Sequence, residues 1–260
     1  MKRFKMLLAT SGLLAASSVV ILAGGGSGAA AASTLPTLTL TLNGKSVTVG
    51  GQMVSGAVNV QTTETGKDGA ATLVHLNAGV DPSVFGRVVQ LINQHHGDIN
   101  YLSPYGQIVY DADAPHGTTT AQTVLPAGNY IALNGNTNGV PPHAAFTVTP
   151  SSAPAALPTA GATENSIDFD FTGPTTLHTG EVVRFVNQGF VVHMDVWVKV
   201  KNMSAAKKVV KLLLTNAPQK KAAGLLTGQG TFAGPMSTGG IVQTTITATP
   251  GIYVQACFMA

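Results

Sequence analysis

Residues 247–257 read Thr-Ala-Thr-Pro-Gly-Ile-Tyr-Val-Gln-Ala-Cys, and residues 123–134 read Thr-Val-Leu-Pro-Ala-Gly-Asn-Tyr-Ile-Ala-Leu-Asn. Each run places a proline and glycine turn before an apolar stretch that carries a tyrosine. This pattern is typical of a tight corner that leads into a buried β-strand. Because the same run closes both halves of the chain, we predict an internal duplication.

The elements upstream of these two runs also occur in the same order in both halves. An alternating strand opens each half, further β-branched strands follow, and an amphipathic helix is inserted before the closing run. The paired segments are Thr37–Leu42 with Ser166–Phe171 for the first strands, and 84–93 with 205–214 for the helices, which are predicted to begin after caps at Asp81 and Ser204. Short strands punctuated by glycine and proline favour an all-β fold of two Greek-key β-sandwiches, each with a short helical insertion.

A segment without charge divides the two halves. Residues 149–163 contain three prolines and no aromatic residue, which is typical of an extended linker. We therefore predict a first domain at 33–149, a linker at 150–163 and a second domain at 164–260.

Residues 1–32 have the pattern of an export signal. Lys2, Arg3 and Lys5 precede an apolar stretch from Met6 to Ala23, and small residues lead to a predicted cleavage site after 30–32. An uncleaved membrane anchor is the alternative, since about 18 apolar residues can span a bilayer. The pattern predicts a secreted or cell-wall-associated protein that contacts a membrane only if the signal is retained.

The charge of the chain gives no support for a nucleic-acid partner. Three of the 14 basic residues lie in the predicted signal and none of the 11 acidic residues does, so the remainder has a net charge of zero. A basic surface for nucleic acid is therefore not expected. The partner is predicted to be a protein or a cell-surface component that the sequence does not identify.

Cys257 is the only cysteine, so no internal disulfide can form and apolar burial must stabilise the fold. The sequence contains no nucleophile elbow, no His-Glu-x-x-His motif and no phosphate-binding glycine loop. On this ground the protein is predicted not to be an enzyme.

The second half resembles a known family in two motifs, Asn187-x-Gly-x-x-x-His193 and Pro250-Gly-x-Tyr253-x-x-x-Cys257. They are similar to those of the secreted bacterial cupredoxin-like proteins, the plastocyanin and azurin type of blue copper protein. The resemblance implies copper as the cofactor, His193 and Cys257 as metal ligands, and electron transfer as the function.

The resemblance is incomplete after Cys257. The family supplies another histidine, an axial methionine and a closing strand from the residues that follow this cysteine, and only Phe258, Met259 and Ala260 follow it here. In the first half, Asn134 takes the place of the thiolate, and Ala70 is aligned with His193. The second domain is thus expected to lack its last loop and strand, which would leave an open sheet edge where two copies could form a homodimer.

Two interpretations of Cys257 and His193 remain open from the sequence. As a metal site, the two side chains should lie within about 4 Å of each other, as ligands of one ion do. Otherwise, Cys257 is a small buried residue and the protein is a metal-free extracellular β-sandwich with a binding or structural role. Met259 is expected to be exposed at a frayed end.

Overall fold

A computed structural model describes residues 35–67, 69–135, 137, 139–215, 220–229 and 233–259, together with the backbone of residues 17–23. The fold is all-β, as predicted: two sheets pack as a β-sandwich through both halves, and each half carries a helical insertion. The strands are β1 Ser17–Ala23, β2 Thr37–Leu42, β3 Val47–Gly51, β4 Gly56–Glu64, β5 Gly69–Leu76, β6 Gly106–Ala114, β7 Gly117–Leu125, β8 Gly128–Asn134, β9 His143–Val148, β10 Ala162–Ile167, β11 Asp170–Thr172, β12 Thr176–His178, β13 Val182–Asn187, β14 His193–Val200, β15 Leu226–Gln229, β16 Ala233–Met236, β17 Ile241–Thr245 and β18 Gly251–Ala256. The helices are α1 Phe85–Gln94, α2 Met203–Leu214 and α3 Lys220–Ala223.

The two halves share both of their sheets. In the described residues one sheet has the order β12-β1-β18-β14-β16-β6-β5-β8-β9, and the other has the order β11-β10-β13-β17-β7-β4-β2-β3. Strand β16 pairs with β6 through Ala233 and Ala112, and β17 pairs with β7 through Gln243 and Gln122. The halves therefore meet edge to edge, and each covers an edge of the other.

The tyrosine corners that mark the duplication have the same structure in both halves. The hydroxyl of Tyr130 donates to the carbonyl of Pro126 at 2.7 Å, and the hydroxyl of Tyr253 donates to the carbonyl of Thr249 at 2.6 Å. Both rings are buried, so these bonds satisfy phenol groups that would otherwise lose their solvent partners.

Alternating strands build the core between the sheets. Leu38, Leu40 and Leu42 of β2 are buried, as expected for the inward positions of a strand with a period of two. In the second half, the rings of Phe185 and Trp197 pack edge to face with centroids 5.6 Å apart. These contacts stabilise the sandwich without any disulfide.

The helices lie where the sequence predicts them, with one correction at a cap. Asp81 caps a 3-10 turn that leads into α1, and its side chain accepts the N–H of Ser83 at 2.8 Å. Helix α2 begins earlier than predicted, and its cap is Asn202, whose side chain accepts the N–H of Ala205 at 2.9 Å. Ser204 was predicted as the cap but lies inside the first turn.

The predicted linker contacts both halves. Ala57 donates its N–H to the carbonyl of Ala155 at 2.8 Å, and the Arg184 guanidinium donates to the carbonyl of Pro158 at 3.0 Å. Strand β10 begins at Ala162, within the segment predicted as linker. This connection is therefore packed along the sandwiches.

The predicted open edge of the second sandwich carries a strand in the full chain. Strand β1, residues 17–23, pairs with β18 on one side and with β12 on the other. The rest of the predicted export signal, residues 1–16 and 24–32, lies outside the described residues. No helix in the described ranges is long and apolar enough to cross a membrane.

Candidate metal centre

His193 and Cys257 lie side by side at one end of the second sandwich. His193 is the first residue of β14, and Cys257 directly follows the last residue of β18. These strands are antiparallel neighbours, with Val196 opposite Ala256, so the start of one meets the end of the other. The Nδ1 atom of His193 is 3.5 Å from the Sγ atom of Cys257, within the distance expected for two ligands of one ion.

Asp168 holds the other side of the His193 ring. Its Oδ1 atom is 2.9 Å from Nε2 of His193, and the N–H of Phe190 donates to its Oδ1 and Oδ2 at 3.1 and 3.0 Å. The hydrogen bond from His193, followed by that from Phe190, lowers the pKa of the Asp168 carboxyl. An ionised carboxylate only accepts hydrogen bonds, so Nε2 is the nitrogen that carries the proton of this bond, and Nδ1 is the nitrogen that faces the sulfur.

Sequence analysis missed Asp168 because it predicted one strand through Ser166–Phe171. The structure instead forms a hairpin, in which β10 ends at Ile167 and β11 begins at Asp170. Phe169 in the turn has a φ of 68°, which is unusual for a residue with a side chain. This turn brings Asp168 to His193, 25 residues later in the chain. Asp168 shares the polar positions of this alternation with Ser166 and Asp170, so no local signal in the sequence distinguishes it.

The Asn-x-Gly turn before His193 fixes the loop over the site. The Asn187 amide donates to the carbonyls of Val191 and Met236 at 2.8 and 2.7 Å, and its oxygen accepts the N–H of Gly189 at 2.8 Å. A Cβ atom on Gly189 would lie 2.5 Å from Nε2 of His193 and 2.6 Å from Oδ1 of Asp168. Glycine is therefore required for the close approach of this backbone to the Asp168–His193 pair.

Cys257 lies in apolar surroundings. Its side chain is 5% exposed and belongs to a buried cluster that includes Met194, Phe258 and Met259. Burial raises the pKa of the thiol, and backbone hydrogen bonds at Met194 and Met259 lower it in part. The prediction that Met259 is exposed is wrong, because this residue packs with Cys257 and is only 8% exposed.

A buried acidic network lies beside the thiol. The Gln255 amide donates to Asp195 at 2.9 Å and to Glu164 at 3.4 Å, and the Trp197 indole donates to Asp195 at 3.0 Å. Burial raises the pKa of Asp195 to about 7. Burial, together with the nearby Asp195, raises the pKa of Glu164 to about 8.

The donor atoms present fit copper(I) better than the trigonal set of a blue copper centre. In the described part of the chain, no group of three or more His, Cys, Asp and Glu residues could hold a metal ion. The site offers one sulfur and one imidazole nitrogen, and thioether side chains pack in the same cluster. Soft sulfur ligands select copper(I), and imidazole suits copper in general.

The corresponding position in the first half carries a different set of groups. Strand register places Asn134 opposite Ala71, which makes Gly69 the counterpart of His193, one residue before the predicted Ala70. The Asn134 side chain accepts the N–H of Ala70 at 3.1 Å and donates to Glu64 at 3.2 Å. An amide and a carboxylate thus stand where the second half has a thiol and an imidazole.

Comparison with known proteins finds distant structural similarity and no sequence match. No protein-family model matches this chain, and no curated protein sequence matches it. Solved structures with a similar fold include a multicopper oxidase at 10% identity and a TM-score of 0.22, covering 85% of this chain and 82% of that one.

Two further solved structures are similar to this chain to the same degree. Lac15 from a marine microbial metagenome is 10% identical with a TM-score of 0.24, over 86% of this chain and 63% of that chain. The blue copper oxidase from Nitrosomonas europaea is 12% identical with a TM-score of 0.19, over 86% and 74% of the two chains.

The prediction that this protein is not an enzyme is contradicted by these comparisons, since several of the similar structures are multicopper or blue copper oxidases. Similarity of this degree concerns the fold, and it assigns no activity to the present chain. The copper ligands of those enzymes are likewise not transferred to it.

Proposed function

We propose that this protein is an exported cupredoxin-like protein that binds one copper(I) ion through Cys257 and His193. The observation that carries the proposal is the 3.5 Å distance between Nδ1 of His193 and Sγ of Cys257, with Nε2 held by Asp168. A histidine ligand that donates its other N–H to a carboxylate is the usual arrangement around protein-bound metals. Export rests on the signal pattern of residues 1–32.

Charge favours the monovalent ion. Cys257 is 5% exposed, so a net charge at its sulfur would be poorly solvated. A thiolate and copper(I) together are neutral, whereas a thiolate and copper(II) leave one positive charge in an apolar environment. The ion would supply a soft Lewis acid that replaces the thiol proton, and the residues hold it in a site largely closed to water.

Copper(I) titration tests the proposal. The full chain is titrated without oxygen against a chromogenic copper(I) chelator, and we expect one ion per chain with X-ray absorption that shows sulfur and nitrogen neighbours. Cys257→Ser and His193→Gln should each abolish stoichiometric binding. His178→Gln is the matched control, because His178 is exposed and belongs to β12, outside the site.

Three results would contradict the proposal. An intense blue absorption with copper(II), lost in Cys257→Ser, would show that copper(II) is bound in a blue centre with a recruited ligand. Retention of stoichiometric copper(I) in both Cys257→Ser and His193→Gln would place the metal elsewhere. If the native chain binds no copper at all, the function is that of a metal-free protein.

The second candidate function is a metal-free extracellular binding protein, and one observation favours it. Phe169 and Phe190 are 67% and 94% exposed, and Val191 is 42% exposed, next to the turn that carries Asp168. Exposed apolar groups that lie together are typical of interaction sites. Phe190→Ser, which leaves the metal ligands in place, should then weaken capture of a partner without changing copper binding.

A further inference from the structure

Strand β1 lies in a gap one strand wide in the second sandwich. Its residues run antiparallel to β18, from Ser17 opposite Ala256 to Leu22 opposite Gly251. On the other side it runs parallel to β12, from Ile21 opposite Thr176 to Ala23 opposite His178. Both of its edges are therefore paired, and without it β18 and β12 would each present an unpaired edge.

The first half shows what this position normally contains. There β9 runs antiparallel to β8, from Gly128 opposite Val148 to Leu133 opposite His143, and Thr149 bridges in parallel to Val54. Strand β8 corresponds to β18, because both follow a tyrosine corner. Strand β1 thus takes in the second sandwich the place that β9 takes in the first, although it comes from the opposite end of the sequence.

We propose that the gap between β12 and β18 is a strand-binding slot, and that its occupant is the apolar segment 17–23 of this chain. Pairing along a strand edge is made by backbone groups, so the segment needs no covalent link to β2 to bind there. Residues 17–23 read Ser-Ser-Val-Val-Ile-Leu-Ala, without charge, proline or glycine, and with three β-branched residues in succession. Such a segment favours an extended conformation.

The slot is coupled to the surroundings of Cys257. Ser17 pairs with Ala256, the residue immediately before Cys257, and α2 lies against β1 as well as against β18. An empty slot would uncover this end of β18 and admit water to the thiol. Because Cys257 is the only cysteine of the chain, its reactivity reports on the slot directly.

A full-length variant with a disabled strand tests the proposal. Proline at Val20 removes a backbone donor from β1, whereas Ser27→Pro introduces the same residue outside that strand. We expect Cys257 in Val20→Pro to react with a thiol reagent at least tenfold faster than in the native chain or in Ser27→Pro. A synthetic peptide of residues 17–23, with lysines added for solubility, should restore protection, and the same peptide with proline at the position of Val20 should not.

Hydrogen exchange of the unaltered full chain decides the question even if Val20→Pro does not fold. Alternate amides of β18 face opposite neighbours, so only some of those in 251–256 can bond to β14. If β1 occupies the slot, the remaining amides of β18 should be protected from exchange as strongly as those that bond to β14. Fast exchange confined to these amides would overturn the proposal, as would a native rate of thiol reaction in a folded Val20→Pro.

Discussion

At the scale of single residues, the site depends on three groups in a line: the Cys257 thiol, the His193 imidazole and the Asp168 carboxylate. Each was placed by a different element, namely the end of β18, the start of β14 and the turn between β10 and β11. The thiol alone would be an ordinary buried cysteine. Asp168 contacts Nε2 of His193 and thereby fixes Nδ1 as the nitrogen that faces the sulfur.

Asp168→Asn removes the ionised acceptor and keeps the size of the side chain. The ring of His193 should then lose its preferred tautomer, and we expect copper(I) affinity to fall by about 10- to 100-fold, the range seen for such outer partners of metal ligands. Competition with a copper(I) chelator measures the affinity, and nitrogen chemical shifts of the ring measure the tautomer. Unchanged values of both would show that Asp168 has no positioning role.

Gly189→Ala tests the close approach of the loop. The added Cβ would meet both Nε2 of His193 and Oδ1 of Asp168 at about 2.5 Å, so one of the two must move. We expect a loss of stability of about 1–3 kcal/mol by overpacking and a weaker copper site. Gly224→Ala is the control, because no atom lies within 4 Å of a Cβ there. Equal urea midpoints for the two variants would contradict this account of Gly189.

At the scale of elements, turns and caps determine where the strands and helices begin and end. The single strand predicted at 166–171 is a hairpin in the structure. The observed cap of α2 is Asn202, two residues before the predicted cap at Ser204. Both differences have local causes, a positive φ at Phe169 and the preference of Asn202 over Ser204 as a hydrogen-bond acceptor for the first turn.

The cap of α2 can be tested by paired substitutions. Asn202→Ala should destabilise the protein by about 1 kcal/mol, because the N–H of Ala205 loses its acceptor. Ser204→Ala should change the free energy of unfolding by less than about 0.5 kcal/mol, as is usual for exposed positions. Urea denaturation of both variants provides the measurement. A larger loss for Ser204→Ala would mean that the helix begins where the sequence predicted.

At the scale of the whole molecule, the halves are joined through paired edge strands and a central glutamine pair. Gln243 donates to Gln122 at 2.9 Å and to the carbonyl of Pro158 at 3.1 Å, and it accepts from Arg184 at 2.8 Å. One network therefore links β7, β13, β17 and the connecting segment. The second half also buries the acidic side chains Glu164 and Asp195, and their raised pKa values make the stability of the protein depend on pH.

Glu164 should make the protein less stable as pH rises through the neutral range. Its pKa in the folded state is about 8, above the ordinary value of 4.5, so between these values the folded state binds more protons than the unfolded state. Stability should therefore fall from about pH 4.5 to pH 8 and then level off with respect to this group. Glu164→Gln should reduce the slope of unfolding free energy against pH in this range, while the raised pKa of Asp195 keeps a smaller slope below about pH 7.

Asp170→Asn is the matched control for that profile, since Asp170 is exposed in the hairpin. It should leave the slope between pH 4.5 and pH 8 unchanged. A slope as steep in Glu164→Gln as in the native chain would mean that other groups produce the pH dependence.

The pairing of His193 with Cys257 could be expected from sequence because the two motifs that carry them resemble those of blue copper proteins, in which the corresponding residues lie together. Asp168 could not be predicted as their partner, because its role depends on a backbone turn that the alternation of residues 166–171 conceals. The burial of Met259 was missed for a similar reason, since the last residues of a chain carry no periodic pattern from which packing could be inferred.

The sequence by itself determined the β-class of this protein, its helical insertions and its candidate thiol and imidazole. These features are encoded locally, in residue alternation, glycine and proline turns, and caps. Only the tertiary structure decided that Asp168 completes the line of the site, that both sheets run through both halves, and that residues 17–23 lie beside β18. Those contacts join residues far apart in the chain, and they depend on sheet register and on which edges remain unpaired, which no local pattern specifies.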